Sequence, residues 1–145
     1  MKQILLFILF STLICWMMFS PIYKHVVLTR QAVLQQEVDY LLEIGASGRY
    51  GYISSSMIND SKMRLANLGL QQSLLDYTVT STQNYIPTEQ NPLPRGESIS
   101  LSISYPYENL FMIDSLIGIS PIGATERMRA YGIKMSEYVK QGPNE

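Results

Sequence analysis

ILLFILFSTLICWMMF, from Ile4 to Phe19, is the stretch that decides the fold of this 145-residue chain. It holds no charged residue, no glycine and no proline, and its polar side chains are those of Ser11 and Thr12. With residues 21–23 it extends to about 20 largely apolar residues, which as a helix span about 30 Å, the thickness of a bilayer's hydrocarbon core. We therefore expect an uncleaved membrane anchor.

Other interpretations of this stretch are weaker. A cleaved secretory signal requires small residues before the cleavage site, whereas this stretch ends in Met-Met-Phe-Ser-Pro. A lipoprotein signal requires a small residue before its cysteine, and Ile14 precedes Cys15. A buried core helix is a poor fit because a chain of this length rarely hides a run this apolar. Trp16, near one end, suits the membrane interface.

Charge separates the chain into two parts. Residues 1–36 contain Lys2, Lys24 and Arg30 and no acid, a net charge of +3, whereas residues 37–145 carry a net charge of -4. A mildly acidic outer part on a basic stem argues against nucleic acid as a partner. Basic residues lie on both sides of the apolar stretch, so charge alone leaves its orientation open. Cys15 is the only cysteine, which excludes a disulfide within the chain.

The apolar stretch continues into an amphipathic one. Apolar residues recur at three- and four-residue steps up to residue 44, with Gln31 at one of these positions, and polar residues fall between them. We expect one helix over residues 3–45, ended by Gly45-Ala46-Ser47-Gly48, with a glycine in the left-handed cap conformation. The apolar stripe packs on the chain's own domain, or, together with the apolar stretch, it also packs against copies of itself or sister subunits. Its members are Val27, Leu34, Val38 and Leu41.

The remaining residues, 46–145, predict one small α+β domain with an antiparallel sheet of about three strands. Serines 54–56 supply N-cap candidates for a short helix through about Asn67, stopped by Gly69. Its predicted inner face consists of Ile58, Leu65 and Leu68.

Two stretches alternate between apolar and polar residues, as half-buried strands do. They cover residues 75–80 and 97–105, and the proline-rich residues 83–96 between them predict a long exposed loop. Residues 110–116 predict a short apolar helix or turn, and about 119–131 a third strand, although residues 124–139 also show helical spacing. The predicted sheet core consists of Leu75, Tyr77, Val79, Ile99, Leu101, Ile103 and Tyr105.

The sequence gives little support for an enzyme. Ser47 lies in a GASG string that lacks the spacing of a nucleophile turn, and the only histidine, His25, lies beside the apolar stretch. Paired Cys/His ligands, a phosphate-binding glycine loop and an H-E-x-x-H motif are all missing from the sequence. We therefore expect no catalytic site, no cofactor, no metal and no small-molecule substrate.

The layout resembles that of the TadE-like minor pilins, which are relatives of type IV pilins. The resemblance rests on the stem SPIYKHVVLTRQAVLQQ at 20–36, the strand and aromatic-Pro-aromatic turn SISLSISYPYENL at 98–110, and ATERMRAYG at 124–132. Two features depart from it. No glycine ends a leader before Gly45, and the first acid is Glu37, whereas major pilins hold a glutamate early in the apolar helix. These departures favour a minor or accessory subunit.

The resemblance implies a subunit of a pilus or a type II/IV-related secretion assembly that packs with other pilin-like subunits through its helix. The expected location is the cell membrane, as a single-pass protein with its C-terminal domain outside the cytoplasm, or a cell-surface filament. The alternative is a bitopic membrane protein of a conjugation, competence or envelope complex that binds a partner without polymerising. The residues expected to anchor and pack the helix are Ile4, Leu5, Phe7, Ile8, Phe10, Leu13, Ile14, Phe19 and Pro21, together with the stripe Val27, Leu34, Val38 and Leu41.

Overall fold

The computed structural model describes residues 2–107 and 126–140, apart from the side chains of Phe19, Ser20 and Tyr23. The described part is α+β: two α-helices, one short 3₁₀ helix and a three-stranded antiparallel sheet. The predicted helix or turn at 110–116 and the first part of the predicted third strand lie outside the described residues.

Helix α1 runs from Lys2 to Gly45 and has 44 residues, in agreement with the helix predicted over residues 3–45. It continues through Pro21, which has no N–H and so removes one bond of the helix ladder. Thr12 and Thr29 donate hydroxyl hydrogen bonds to the carbonyls of Ile8 and His25, each at 2.8 Å. A polar side chain in the apolar half is in this way satisfied by its own helix.

The end of α1 differs from the prediction. Gly45 belongs to the helix and does not adopt the left-handed conformation, which Gly51, Gly69 and Gly96 do adopt. A Cβ atom at residue 45 would lie 2.6 Å from Cγ1 of Ile53. Gly45 is therefore required for the close approach of the following turn and not for the cap geometry.

Helix α2 runs from Ser55 to Asn67, and Ser54 caps it by accepting a hydrogen bond from the backbone N–H of Met57 at 3.2 Å. After the helix, Gly69 has a φ of 89°. The N–H of Leu70 then donates to the carbonyl of Leu65, which closes the helix end. The predicted inner face is wrong at Leu68, which is 64% exposed because it lies at this closing turn.

The sheet is a meander in the order β1, β2, β3. Strand β1 is Asp76–Ser81, β2 is Ser98–Pro106 and β3 is Arg127–Met135, with the 3₁₀ helix Gln72–Leu74 before β1. The third strand ends at Met135, beyond the predicted end at residue 131, so residues up to 135 are strand and not helix. Strand β1 begins one residue later than predicted, so Leu75 precedes it.

One face of the sheet forms the core with the second half of α1. The alternation predicted for β2 is confirmed, since Ile99, Leu101, Ile103 and Tyr105 are buried. In β1, Tyr77 and Val79 are only half-buried. The opposite face is lined by hydroxyl side chains of β1 and β2, including Thr78, Thr80, Ser100 and Ser102.

The segment between β1 and β2 is anchored at two points, which corrects the prediction of an exposed loop. Pro87 and Leu93 are both fully buried. The Leu93 N–H donates to the carbonyl of Gly51 at 2.8 Å, and its own carbonyl accepts from the Ser136 hydroxyl at 2.7 Å. An apolar residue inserted between prolines therefore ties this segment to the core.

Candidate functional site

The first half of α1 exposes its apolar side chains. Across residues 4–18 the large apolar side chains are between 44% exposed at Trp16 and 73% exposed at Phe7. The first α1 residues that pack against the core are Val26 and Val27. The predicted anchor residues described as exposed are Ile4, Leu5, Phe7, Ile8, Phe10, Leu13, Ile14 and Pro21, whereas the side chain of Phe19 lies outside the described part.

Over the residues that the structure describes, no helix combines the length and the apolarity that crossing a membrane requires.

The second half of α1 lies in the core. Leu34, Val38 and Leu41 of the predicted stripe are buried, and Val27 is half-buried. Gly132 of β3 lets the helix approach the sheet closely, because a Cβ there would lie 2.7 Å from Cδ1 of Leu42 and 2.9 Å from Cγ1 of Val38. The chain's own domain thus covers this stripe.

Two glutamines of α1 bond the free edge of β3. Gln31 and Gln35, one helical turn apart, donate from Nε2 to the carbonyls of Arg129 at 2.7 Å and Tyr131 at 3.2 Å. These carbonyls point away from β2, because antiparallel pairing alternates bonded and unbonded residues. Gln31 occupies a position of the stripe where an apolar residue would continue the pattern. It bonds the outer edge of β3 there, which the hydrophobic pattern alone did not predict.

An ion pair joins α1 to α2. Glu37 is 9% exposed, and its Oε1 accepts from Nε of Arg64 at 3.1 Å and from Nη2 at 2.5 Å. The guanidinium carbon also lies 4.7 Å from the ring centroid of Tyr40. The hydrogen bond to Glu37 raises the pKa of Arg64, so the guanidinium is charged at all ordinary pH values. Sequence reasoning missed it, because residues 27 positions apart carry no local signal.

The arrangement contains no recognisable catalytic or metal-binding constellation among the described residues. Within residues 2–107 and 126–140, no three or more His, Cys, Asp or Glu side chains come together as metal ligands would. Cys15 and His25 lie ten positions apart on exposed parts of α1, and Ser47 follows the end of that helix. The surfaces described above are suited to packing and binding.

Compared with known proteins, the chain matches no family model, no curated protein and no solved structure.

Proposed function

We propose that this protein is a membrane-anchored, TadE-like pilin subunit of a pilus or of a related secretion assembly, and that it acts by packing its helix against those of other subunits. One observation carries the proposal: a single helix of 44 residues is apolar and exposed over its first half and buried in a small sheet domain over its second half. The resemblance of the stem and of β2 to pilin sequences supports it.

The first half of α1 exposes apolar surface that water solvates poorly. Burying one large apolar side chain contributes about 1.5–3 kcal/mol relative to leaving it in water. With large apolar side chains from Ile4 to Met18 exposed, the isolated chain leaves much of this energy unused. Lipid or a bundle of similar helices would cover them, and the same surface can exchange one cover for the other.

The apolar sequence and the exposure of α1 support a membrane anchor. Against it, no helix among the described residues meets the length and apolarity expected of a membrane span. Fractionation of cells that produce the full chain decides the matter. A pilus subunit is expected in membranes and in sheared, cell-free material of high molecular weight. A chain that remains in the membrane fraction after shearing supports the non-polymerising bitopic alternative instead.

A charged variant tests whether the exposed apolar half of α1 determines the fraction in which the protein is found. Ile8→Lys places a charge in the exposed apolar half, whereas Ile8→Leu keeps the residue apolar and serves as the matched control. We expect Ile8→Lys to be lost from sheared material and to bind membranes less, with the sheet domain still folded by circular dichroism. If the unmodified chain is soluble and monomeric without detergent, both the pilus proposal and the bitopic alternative are wrong.

The mature N-terminus provides a second measurement. Mass spectrometry of the protein taken from cells would show whether the chain is cut by a prepilin peptidase and methylated at its new N-terminus. A processed and methylated N-terminus supports the pilin assignment. An unprocessed Met1 favours the bitopic alternative.

A further inference from the structure

The two outer edges of the sheet are treated differently by the fold. At the β3 edge, Gln31 and Gln35 occupy two outward carbonyls. At the β1 edge, the N–H of Thr82 donates to the carbonyl of Ser98 at 3.1 Å, which sets the alternation of the β1–β2 ladder. Residues at even positions of β1 therefore bond β2, and Tyr77 and Val79 direct their N–H and C=O groups outward.

These outward groups have no partner in the described part of the chain. Among the residues that the structure describes, no backbone or side-chain group bonds the N–H or C=O of Tyr77 or Val79 outside the β1–β2 pairing. Exposed edges of this kind template the addition of another strand, and many proteins block them. Within residues 2–107 and 126–140, α1 blocks the β3 edge, and no backbone group pairs with the outward groups of Tyr77 and Val79.

A cleft of about 400 Å³ lies beside the open edge. Its walls are the half-buried side chains of Tyr77 and Val79, Ile58 of α2, and Ile86 with Pro87 from the segment after β1. Ile86 is 65% exposed, which leaves apolar surface available. A strand added to β1 would direct every second side chain into this cleft and the others toward the hydroxyl-lined face that holds Thr78 and Thr80.

The cleft also has a charge preference. Glu89 lines it, and the ion pairs of the described residues, Arg64–Glu37 and Lys134–Glu43, leave this carboxylate without a basic partner. Partial desolvation, and then the charge of Glu89, raise the pKa of the neighbouring Tyr52 above its ordinary value. A tyrosine hydroxyl is protonated at neutral pH already at its ordinary pKa of 10.0, so that of Tyr52 can donate a hydrogen bond to a ligand.

We propose that the β1 edge and its cleft bind an extended segment of a partner protein by strand addition. The segment has apolar side chains at alternate positions that enter the cleft, polar ones on the opposite side, and a Lys or Arg that pairs with Glu89. Backbone bonds to Tyr77 and Val79 supply affinity, and the cleft supplies selectivity. The proposal does not depend on the pilin assignment, since it uses only the sheet domain.

A second copy of this chain fits the site less well. Its own β1 would have to place Tyr77 and Val79 in the cleft. The Tyr77 hydroxyl of that copy is already engaged, because it lies 2.7 Å from the Ser61 hydroxyl of its own α2. Its β1 sequence, DYTVTS, also carries no basic residue to meet Glu89. Both the shape and the charge of the cleft therefore favour a different chain.

The test uses the full chain in detergent and a fluorescent, terminally blocked peptide of sequence Lys-Thr-Val-Thr-Val-Thr, in which the lysine and both valines lie on one side of the strand and the threonines on the other. Val79→Pro removes the outward N–H without removing a β1–β2 bond, and Val79→Ala loses the same side chain but keeps that N–H. We expect binding, measured by fluorescence anisotropy, to be about tenfold weaker for Val79→Pro than for Val79→Ala, as the loss of an edge bond predicts. Equal binding by the two variants, or no binding to the unmodified chain, overturns the proposal.

Amide hydrogen exchange of the unmodified chain gives a readout that needs no variant. Peptide addition is expected to slow exchange at Tyr77 and Val79 and to leave Thr78 and Thr80, which already bond β2, unchanged. Protection that spreads evenly over the domain contradicts strand addition. Protection of Tyr77 and Val79 that rises with protein concentration alone would assign the edge to self-association and overturn the choice of partner.

Glu89→Gln tests the charge preference. The lysine peptide is expected to bind this variant about two- to fivefold more weakly, since one exposed ion pair is lost. A peptide with Gln in place of Lys should bind the variant and the unmodified chain equally. If Glu89→Gln leaves the affinity for the lysine peptide unchanged, a basic residue is not part of the ligand.

Discussion

At the scale of single residues, two polar side chains of α1 lie on its packed side, where the hydrophobic pattern alone predicts apolar residues. Glu37 lies on the buried side of α1, and Gln31 lies within its apolar stripe. Each is satisfied by a specific partner, Arg64 and the Arg129 carbonyl respectively. A buried polar group is tolerated only when it is bonded, so these partners are part of what makes the fold unique.

The Glu37–Arg64 pair predicts unequal effects of its two halves. The side chain of Arg64 is 41% exposed and that of Glu37 only 11%, so water can replace one partner better than the other. We expect Arg64→Met to lower the free energy of unfolding by about 2–3 kcal/mol, because it strands a buried carboxylate, and Glu37→Gln by about 1 kcal/mol. Urea unfolding followed by circular dichroism measures both.

The double variant Glu37→Gln with Arg64→Met serves as the control for this prediction. It removes the stranded charge and should be more stable than Arg64→Met alone. Equal losses for the two single variants would show that the burial of Glu37 does not determine the energetics of the pair.

Glu97 predicts a pH dependence. Hydrogen bonds from Thr82, and then Gln83, lower the pKa of the Glu97 carboxyl below its ordinary value of 4.5. The ionised form is favoured by folding, so this contribution to stability is present above pH 4.5 and is lost as the pH falls through the lower value of the folded state. Thr82→Val should raise the pKa of Glu97, and Thr82→Ser should preserve it. Carboxyl NMR titration reads both, and an unchanged pKa in Thr82→Val would contradict the assignment.

At the scale of elements, the type and order of most helices and strands follow from the sequence. The length of α1, the cap of α2 at Ser54 and the alternation in β2 were all predictable because each depends on local pattern. The ends of β3 and the buried Leu93 were not, because they depend on partners distant in the chain. Both sheet edges belong to this second class, since the placement of α1 determines which one is blocked.

The crossing of α1 over β3 depends on Gly132. We expect Gly132→Ala to lower the free energy of unfolding by about 1–3 kcal/mol, because its Cβ would meet Leu42 and Val38 inside 3 Å. Gly48→Ala is the matched control, since a Cβ there would lie 3.4 Å from its nearest neighbour, the Glu137 carbonyl. Thermal unfolding compares them. In the Leu42→Ala background, Gly132→Ala should cost less than it does in the unmodified chain, because one clashing side chain is gone. A neutral Gly132→Ala would show that the helix can move away.

At the scale of the whole molecule, the sequence predicts an α+β chain with an antiparallel sheet, and the structure agrees. The apolar stretch at 4–19 is evident from composition, and its exposure is evident only from the structure. The cleft beside β1 could not be predicted, because its walls come from α2, β1 and the segment after β1, which the chain brings together only on folding.

The continuity of α1 has a geometric consequence. The helix that exposes Ile8 is the same helix that seats Val38 in the core, without a break between them. Each residue of an α-helix rises about 1.5 Å along the helix axis and rotates about 100° around it. Inserting one alanine after Lys24 would therefore rotate the sheet domain by about 100° around the helix axis relative to the apolar end. The number of residues between the two ends thus sets the azimuthal orientation of the domain in any helix bundle that it joins.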